Sequence, residues 1–144
     1  MSMKPEETLG NAFMFAELRD SDLKRLAKLM SPAKFAAGSV VIQEGDPADS
    51  LFVVNSGKLE ANHRDSAGNA QELATYGPGD FFGEMALFEG SPRSATVRAI
   101  EDSDCLTMTR GDFMAELKKH PQIAVGMLPA LVRRLRNADT RISQ

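Results

Sequence analysis

Residues 81–97 read Phe81-Phe82-Gly83-Glu84-Met85-Ala86-Leu87-Phe88-Glu89-Gly90-Ser91-Pro92-Arg93-Ser94-Ala95-Thr96-Val97. One acid and one arginine, Glu84 and Arg93, stand nine positions apart among small residues. Small residues let main-chain N–H groups come close to an anion. An arginine at the far end offers a rigid fork of donors that matches phosphate oxygens. Glu84 adds acceptors for a hydroxyl, most simply that of a ribose. Residue types and spacing together imply a site for a small, compact phosphodiester.

Around this string the chain reads as β-structure. From about residue 33 to 109 its apolar runs are short and are broken by Glu44-Gly45-Asp46, Ser56-Gly57-Lys58, Ala67-Gly68-Asn69 and Gly77-Pro78-Gly79-Asp80. Strands are expected over residues 39–43, 51–55, 58–64, 71–76, 96–100 and 105–109. Strands at this spacing form an antiparallel barrel or sandwich.

Both flanks read as helix. Before the strands, Leu23, Leu26, Ala27 and Met30 recur at helical spacing, with Ser21 as the expected cap and Phe13 and Phe15 packing the segment onto the β-structure. After the strands, Asp112 is the expected cap of a short helix carrying Phe113, Met114 and Leu117. His120-Pro121 ends that helix and opens another. Leu128, Leu131, Leu135, Ala138 and Ile142 give the last helix an apolar stripe, and Pro129 is expected to kink it near residues 125–129. The stripe either covers the β-structure or forms the seam of a homodimer. A single domain is expected over residues 11–142, with an N-terminal helix at 11–30, β-structure at 33–109 and C-terminal helices at 112–142.

Composition excludes several classes of function. The formal net charge of −3 and pI of 5.4 do not suit a general nucleic-acid surface. No helix-turn-helix follows residue 142, so no nucleic-acid partner is expected. No run of about 18 apolar residues occurs, so no membrane span is expected. One cysteine, Cys105, cannot close an internal disulfide and reads as a small buried apolar residue. With no apolar signal core at the start, a cytoplasmic location is expected. His63 and His120 are the only histidines, too few for a barrel metal enzyme, and no nucleophile–base pair stands out. No catalysis, metal or cofactor is expected. Glu44-Gly45-Asp46 reads as a tight turn rather than a cation site.

The string FFGEMALFEGSPRSATV resembles the phosphate-binding cassette of the cyclic-nucleotide-binding domain family, and the glycines Gly45, Gly57 and Gly79 with the flanking helices extend the likeness over residues 11–142. The resemblance implies an eight-stranded jelly-roll β-roll with flanking helices, its cassette at residues 82–96. It implies a non-catalytic sensor in which Phe82, Gly83, Glu84, Met85, Ala86, Arg93, Ser94 and Ala95 meet the ligand. Arg93 takes the phosphate, Glu84 the ribose 2′-hydroxyl, and the N–H groups of Ala86 and Ser94 the phosphate oxygens. Residues 84–88 are then a short turn of helix. Arg134 or Arg136, from the basic cluster on the last helix, caps the base. Ser94 stands where threonine accompanies cyclic GMP and alanine cyclic AMP; cyclic AMP is the expected ligand and cyclic GMP the alternative. Signalling runs through rearranged C-terminal helices, with an effector protein or a second copy as partner. The competing reading is a β-roll that binds protein and no nucleotide.

Overall fold

A computed structural model describes residues 15, 17–64, 66–83 and 92–143, the side chains of residues 73, 134, 135 and 137–143 aside. Helix α1 (Asp20–Leu29) precedes strands β1 (Ser31–Phe35), β2 (Val40–Ile42), β3 (Ser50–Ser56), β4 (Leu59–Arg64), β5 (Ala70–Tyr76), β6 (Phe81–Phe82), β7 (Thr96–Ala99) and β8 (Ser103–Thr109). Helices α2 (Arg110–Lys119) and α3 (Gln122–Ser143) follow. The strands form two four-stranded sheets, ordered β1-β8-β3-β6 and β2-β7-β4-β5, with every pairing antiparallel. The expected β-roll with flanking helices is borne out. The turn signals located six of the strands and gave no separate strand for β1 or β6.

Side-chain alternation explains the layering. In β3, Leu51 and Val53 point to one core with Phe15, Leu26, Phe113, Ile123 and Met127, while Phe52 and Val54 point to another with Ile42, Leu59, Phe82 and Val97. The first core lies between this sheet and the helices; the second fills the roll. A strand covered on both faces needs a continuous apolar run, and Leu51-Phe52-Val53-Val54 supplies one. The second sheet is covered on one face only: Leu59, Ala61, Val97 and Ala99 are buried, while Glu60 and Arg98 alternate outward.

The helices correct three expectations. Ser21 does not cap α1: Arg19 holds the N-cap position without a side-chain bond, and Ser21 lies exposed inside the first turn. Asp22, 2% exposed, instead accepts from Arg25 Nη1 at 2.8 Å and from Gln122 Nε2 at 3.2 Å, tying α1 to the start of α3. Nor is Asp112 the cap of α2. Thr109 ends β8 in an extended conformation, the geometry of an N-cap residue, and its Oγ1 accepts from the Asp112 amide at 3.1 Å. The expected stripe on α3 holds at Leu131 and fails at Leu128. Ile123, Met127 and Ala130 are buried and Leu131 packs beside them, whereas Leu128 is 53% exposed. The Asp22–Gln122 bond and Ile123 under α1 set the rotation of the helix, which periodicity alone does not. Leu135, Ala138 and Ile142 fall outside the described side chains. Pro129 sits within α3, which continues through it. Phe15 is fully buried, and Phe13 lies outside the described residues.

Cys105 lies in the core of the roll, 2% exposed. Burial, and then the negative charge of Asp104, push its thiol from 9.0 up to about 12. The native chain should therefore resist thiol reagents near pH ~8 and react only once denatured. Because the folded value is raised, the associated stability is intact below about pH 9 and is lost as pH climbs toward about 12. Urea midpoints measured through that range check it; a midpoint that rises through the window would contradict the burial.

Candidate functional site

Arg93 is 7% exposed, a charged side chain within an apolar roll. A buried cation is costly unless its N–H groups find acceptors. Its Nη1 donates to the Gly83 carbonyl at 3.0 Å, and its Nη2 donates to the Ser50 carbonyl at 2.6 Å, with Ser50 Oγ at 3.4 Å. Asp49 Oδ1 lies 3.9 Å from Nη2, but its side chain is 87% exposed, so water screens that pairing. The main chain of Arg93 is also fixed: Gly45 N–H donates to the Arg93 carbonyl at 2.8 Å, and Arg93 N–H donates to the Asp46 carbonyl at 2.8 Å.

The other expected residues divide into three groups. Phe82 and Gly83 stand beside Arg93. Phe82 is 1% exposed and stacks between Phe52, 5.0 Å away, and Tyr76, 5.1 Å away, which fixes where β6 ends. Gly83 follows with φ +84°, a conformation that bulkier residues resist. Ser94 is exposed, and Ala95 packs at the margin of the roll core. Glu84, Met85 and Ala86, with the expected helical turn at residues 84–88, lie outside the described residues. So does the side chain of Arg134, while Arg136 is exposed on α3. Among the described residues, then, the structure unites Phe82, Gly83 and Arg93.

Sequence reading missed the groups that hold Arg93. Ser50 is 43 positions away, and its acceptor is a main-chain carbonyl, which no residue type advertises. Gly45 and Asp46 did carry a signal, as a turn. The turn is present, with Asp46 N–H donating to the Gln43 carbonyl at 3.1 Å, and its second role on Arg93 was not legible.

A cavity of about 260 Å³ opens at Arg93, lined also by Ile42, Pro47, Asp49, Ser50 and Phe52. A broader one of about 930 Å³ shares Asp49, Ser50 and Phe52 and extends toward Thr107 and Met114. Together they place one buried cation in a hollow whose wall mixes Ile42, Pro47 and Phe52 with the polar Gln43, Asp46 and Asp49, and which opens beside a more apolar one, an arrangement that can take a compact anion carrying an apolar body. A polar depression of about 430 Å³ on the outward face of the second sheet holds Arg64 and Arg98. Both guanidiniums there already donate to main-chain carbonyls, of Gly68 at 2.9 Å and Gly38 at 3.2 Å. No helix among the described residues is long and apolar enough to cross a membrane, and no group of three metal-ligating side chains occurs among them.

Residues 32–120 match the family model described as the cyclic nucleotide-binding domain. A CRP-like cAMP-activated global transcriptional regulator of Mycobacterium tuberculosis is 30% identical over 138 residues, covering 96% of this chain and 62% of that protein. The N-terminal domain of a transcriptional regulator from Streptomyces coelicolor superposes with a TM-score of 0.80 at 34% identity, covering 94% of each chain. The regulatory domain of Toxoplasma gondii PKA, co-crystallised with cAMP, superposes with a TM-score of 0.73 at 34% identity, covering 78% of this chain and 42% of that one. The chain spans less than two-thirds of the length of the curated relatives it matches.

Gly83 is the point at which this geometry can be broken. An added Cβ would sit 2.7 Å from Arg93 Nη1 and 3.1 Å from the Ser50 carbonyl, at a φ that already strains any other residue. Gly83→Ala should lower stability by about 1–3 kcal/mol in urea unfolding. Gly77→Ala, where an added Cβ meets nothing within 4 Å, should change it far less. Equal losses would show that Gly83 is not tightly apposed to Arg93.

Proposed function

Because the chain belongs to the cyclic nucleotide-binding domain family, we propose that it is a non-catalytic sensor of cyclic AMP whose ligand phosphate is held by Arg93. One observation carries this reading: a guanidinium buried beside a positive-φ glycine, at the wall of the roll's hollow. A cyclic nucleotide carries one negative charge on a compact ring and an apolar purine, the two features that this hollow complements. Arg93 has five N–H donors, and the phosphate would accept from the guanidinium beside, or in place of, the Gly83 and Ser50 carbonyls. Relatives described as cAMP-activated and as co-crystallised with cAMP favour cyclic AMP over cyclic GMP.

In this reading Glu84 accepts from the ribose 2′-hydroxyl. The N–H groups of Ala86 and Ser94 meet phosphate oxygens, and Phe82, Gly83, Met85 and Ala95 shape the wall. Arg134 or Arg136 on α3 closes over the base. Binding draws residues 84–88 inward, and α2 and α3 repack, because a ligand can only shift an equilibrium toward the state it binds better. The output is an effector protein or a second copy of the chain, acting in the cytoplasm.

Calorimetric titration with both nucleotides tests the reading. Wild type should bind cyclic AMP at micromolar concentration or tighter, and Arg93→Ala should weaken it by on the order of a hundredfold, the worth of a charge-assisted bond. The present contacts of Arg93 with Gly83 and Ser50 also suit the competing module, which uses the roll without nucleotide; an absence of binding would favour that. Amide NMR spectra should shift along α3 as well as at the pocket when nucleotide is added. Shifts confined to the pocket would reject the helix rearrangement.

A further inference from the structure

The β2–β7 ladder does not reach Arg93 by ordinary strand pairing. Ile42 pairs with Val97, and the register already slips between Val40 and Ile42. One position beyond Val97, at Thr96, a side chain takes over. Thr96 Oγ1 accepts from the Glu44 main-chain N–H at 3.0 Å and from Gln43 Nε2 at 3.3 Å. A hydroxyl oxygen has two lone pairs, and this one uses both on the same turn. Past that rung the main chains meet again: Gly45 N–H to the Arg93 carbonyl, and Arg93 N–H to the Asp46 carbonyl, each at 2.8 Å.

The turn itself is stiff. Asp46 N–H closes on the Gln43 carbonyl at 3.1 Å, and Gly45 takes φ +90° to present its amide to Arg93. His63 Nδ1 of β4 lies 3.3 Å from Glu44 Oε1, a half-exposed contact that adds little. The turn is thus held from β7 through Thr96, and it holds the main chain of Arg93 on both sides.

We infer that Thr96 is a positioning residue for Arg93: its hydroxyl fixes the turn at residues 43–46, and the turn sets where the guanidinium enters the hollow. This rests on the nucleotide reading above, since it specifies what keeps the phosphate-binding group in place. Valine at residue 96 has threonine's branched shape without its acceptor. It would leave the Glu44 N–H unmet and release the turn, while Val97 and Ala99 stay packed in the roll. Serine restores the oxygen.

The test compares wild type, Thr96→Val and Thr96→Ser by titration with cyclic AMP and with adenosine, which has the same base and ribose but no phosphate. Thr96→Val should weaken cyclic AMP by about tenfold, the worth of one lost bond of this kind, and leave adenosine within about twofold. Thr96→Ser should return cyclic AMP to near wild type. A general loosening of the roll would weaken both ligands together, so parallel losses overturn the assignment, as does wild-type affinity in Thr96→Val. Amide hydrogen exchange gives a readout free of nucleotide. Thr96→Val should speed exchange at Glu44, Gly45 and Arg93 relative to Val53 and Leu106, and unchanged rates there overturn the assignment. A wild type that binds neither ligand would defeat the nucleotide reading and this role in it, whereas binding by wild type with insensitivity to Thr96→Val defeats the role alone.

Discussion

A guanidinium inside an apolar roll is the constraint around which the rest is arranged. Removing such a charge from water costs several kcal/mol unless its donors are met. Among the described residues, Gly83 after β6 and Ser50 at the head of β3 meet the Arg93 guanidinium, and the turn at Gly45 and Asp46 holds its main chain. None can move independently while the charge is buried. One residue therefore links the two sheets, its side chain bonded to the sheet packed on the helices and its main chain bonded to the turn that follows β2.

The two sheets do different work, and the difference is written in their residues. The sheet of β1, β8, β3 and β6 carries apolar groups on both faces, so it packs on the interior of the roll and on the helices. Leu51 and Val53 touch the helical core, and Phe52 and Val54 touch the hollow. A single strand thus separates Phe52 in the roll from Phe113 and Ile123 under the helices. The sheet of β2, β7, β4 and β5 has no second core and serves as a wall.

Much of the fold was legible in advance. Turn residues punctuated six of the strands, because turns depend on residue type, and Arg93 of the opening string is the buried cation, while Glu84 lies outside the described residues. What escaped depends on the main chain or on rotation. The Ser50 carbonyl and the Gly45 amide look alike in every sequence. The buried face of α3 follows from Gln122 meeting Asp22, 100 positions away, and a periodic pattern with several apolar phases could not choose among them. The same holds for the caps: Ser21 and Asp112 are good capping types, but Arg19 and Thr109 occupy the positions where the backbone turns from extended to helical.

The brevity of β6 has a consequence of its own. It pairs with β3 only at Phe52 and Val53, and the glycine after it ends the strand. Among the described residues no strand faces Ser50 along that edge, and a guanidinium donates to its carbonyl there. A β6 that ran on past Gly83 would compete with Arg93 for that carbonyl, so the guanidinium's place beside Ser50 depends on where this short strand ends.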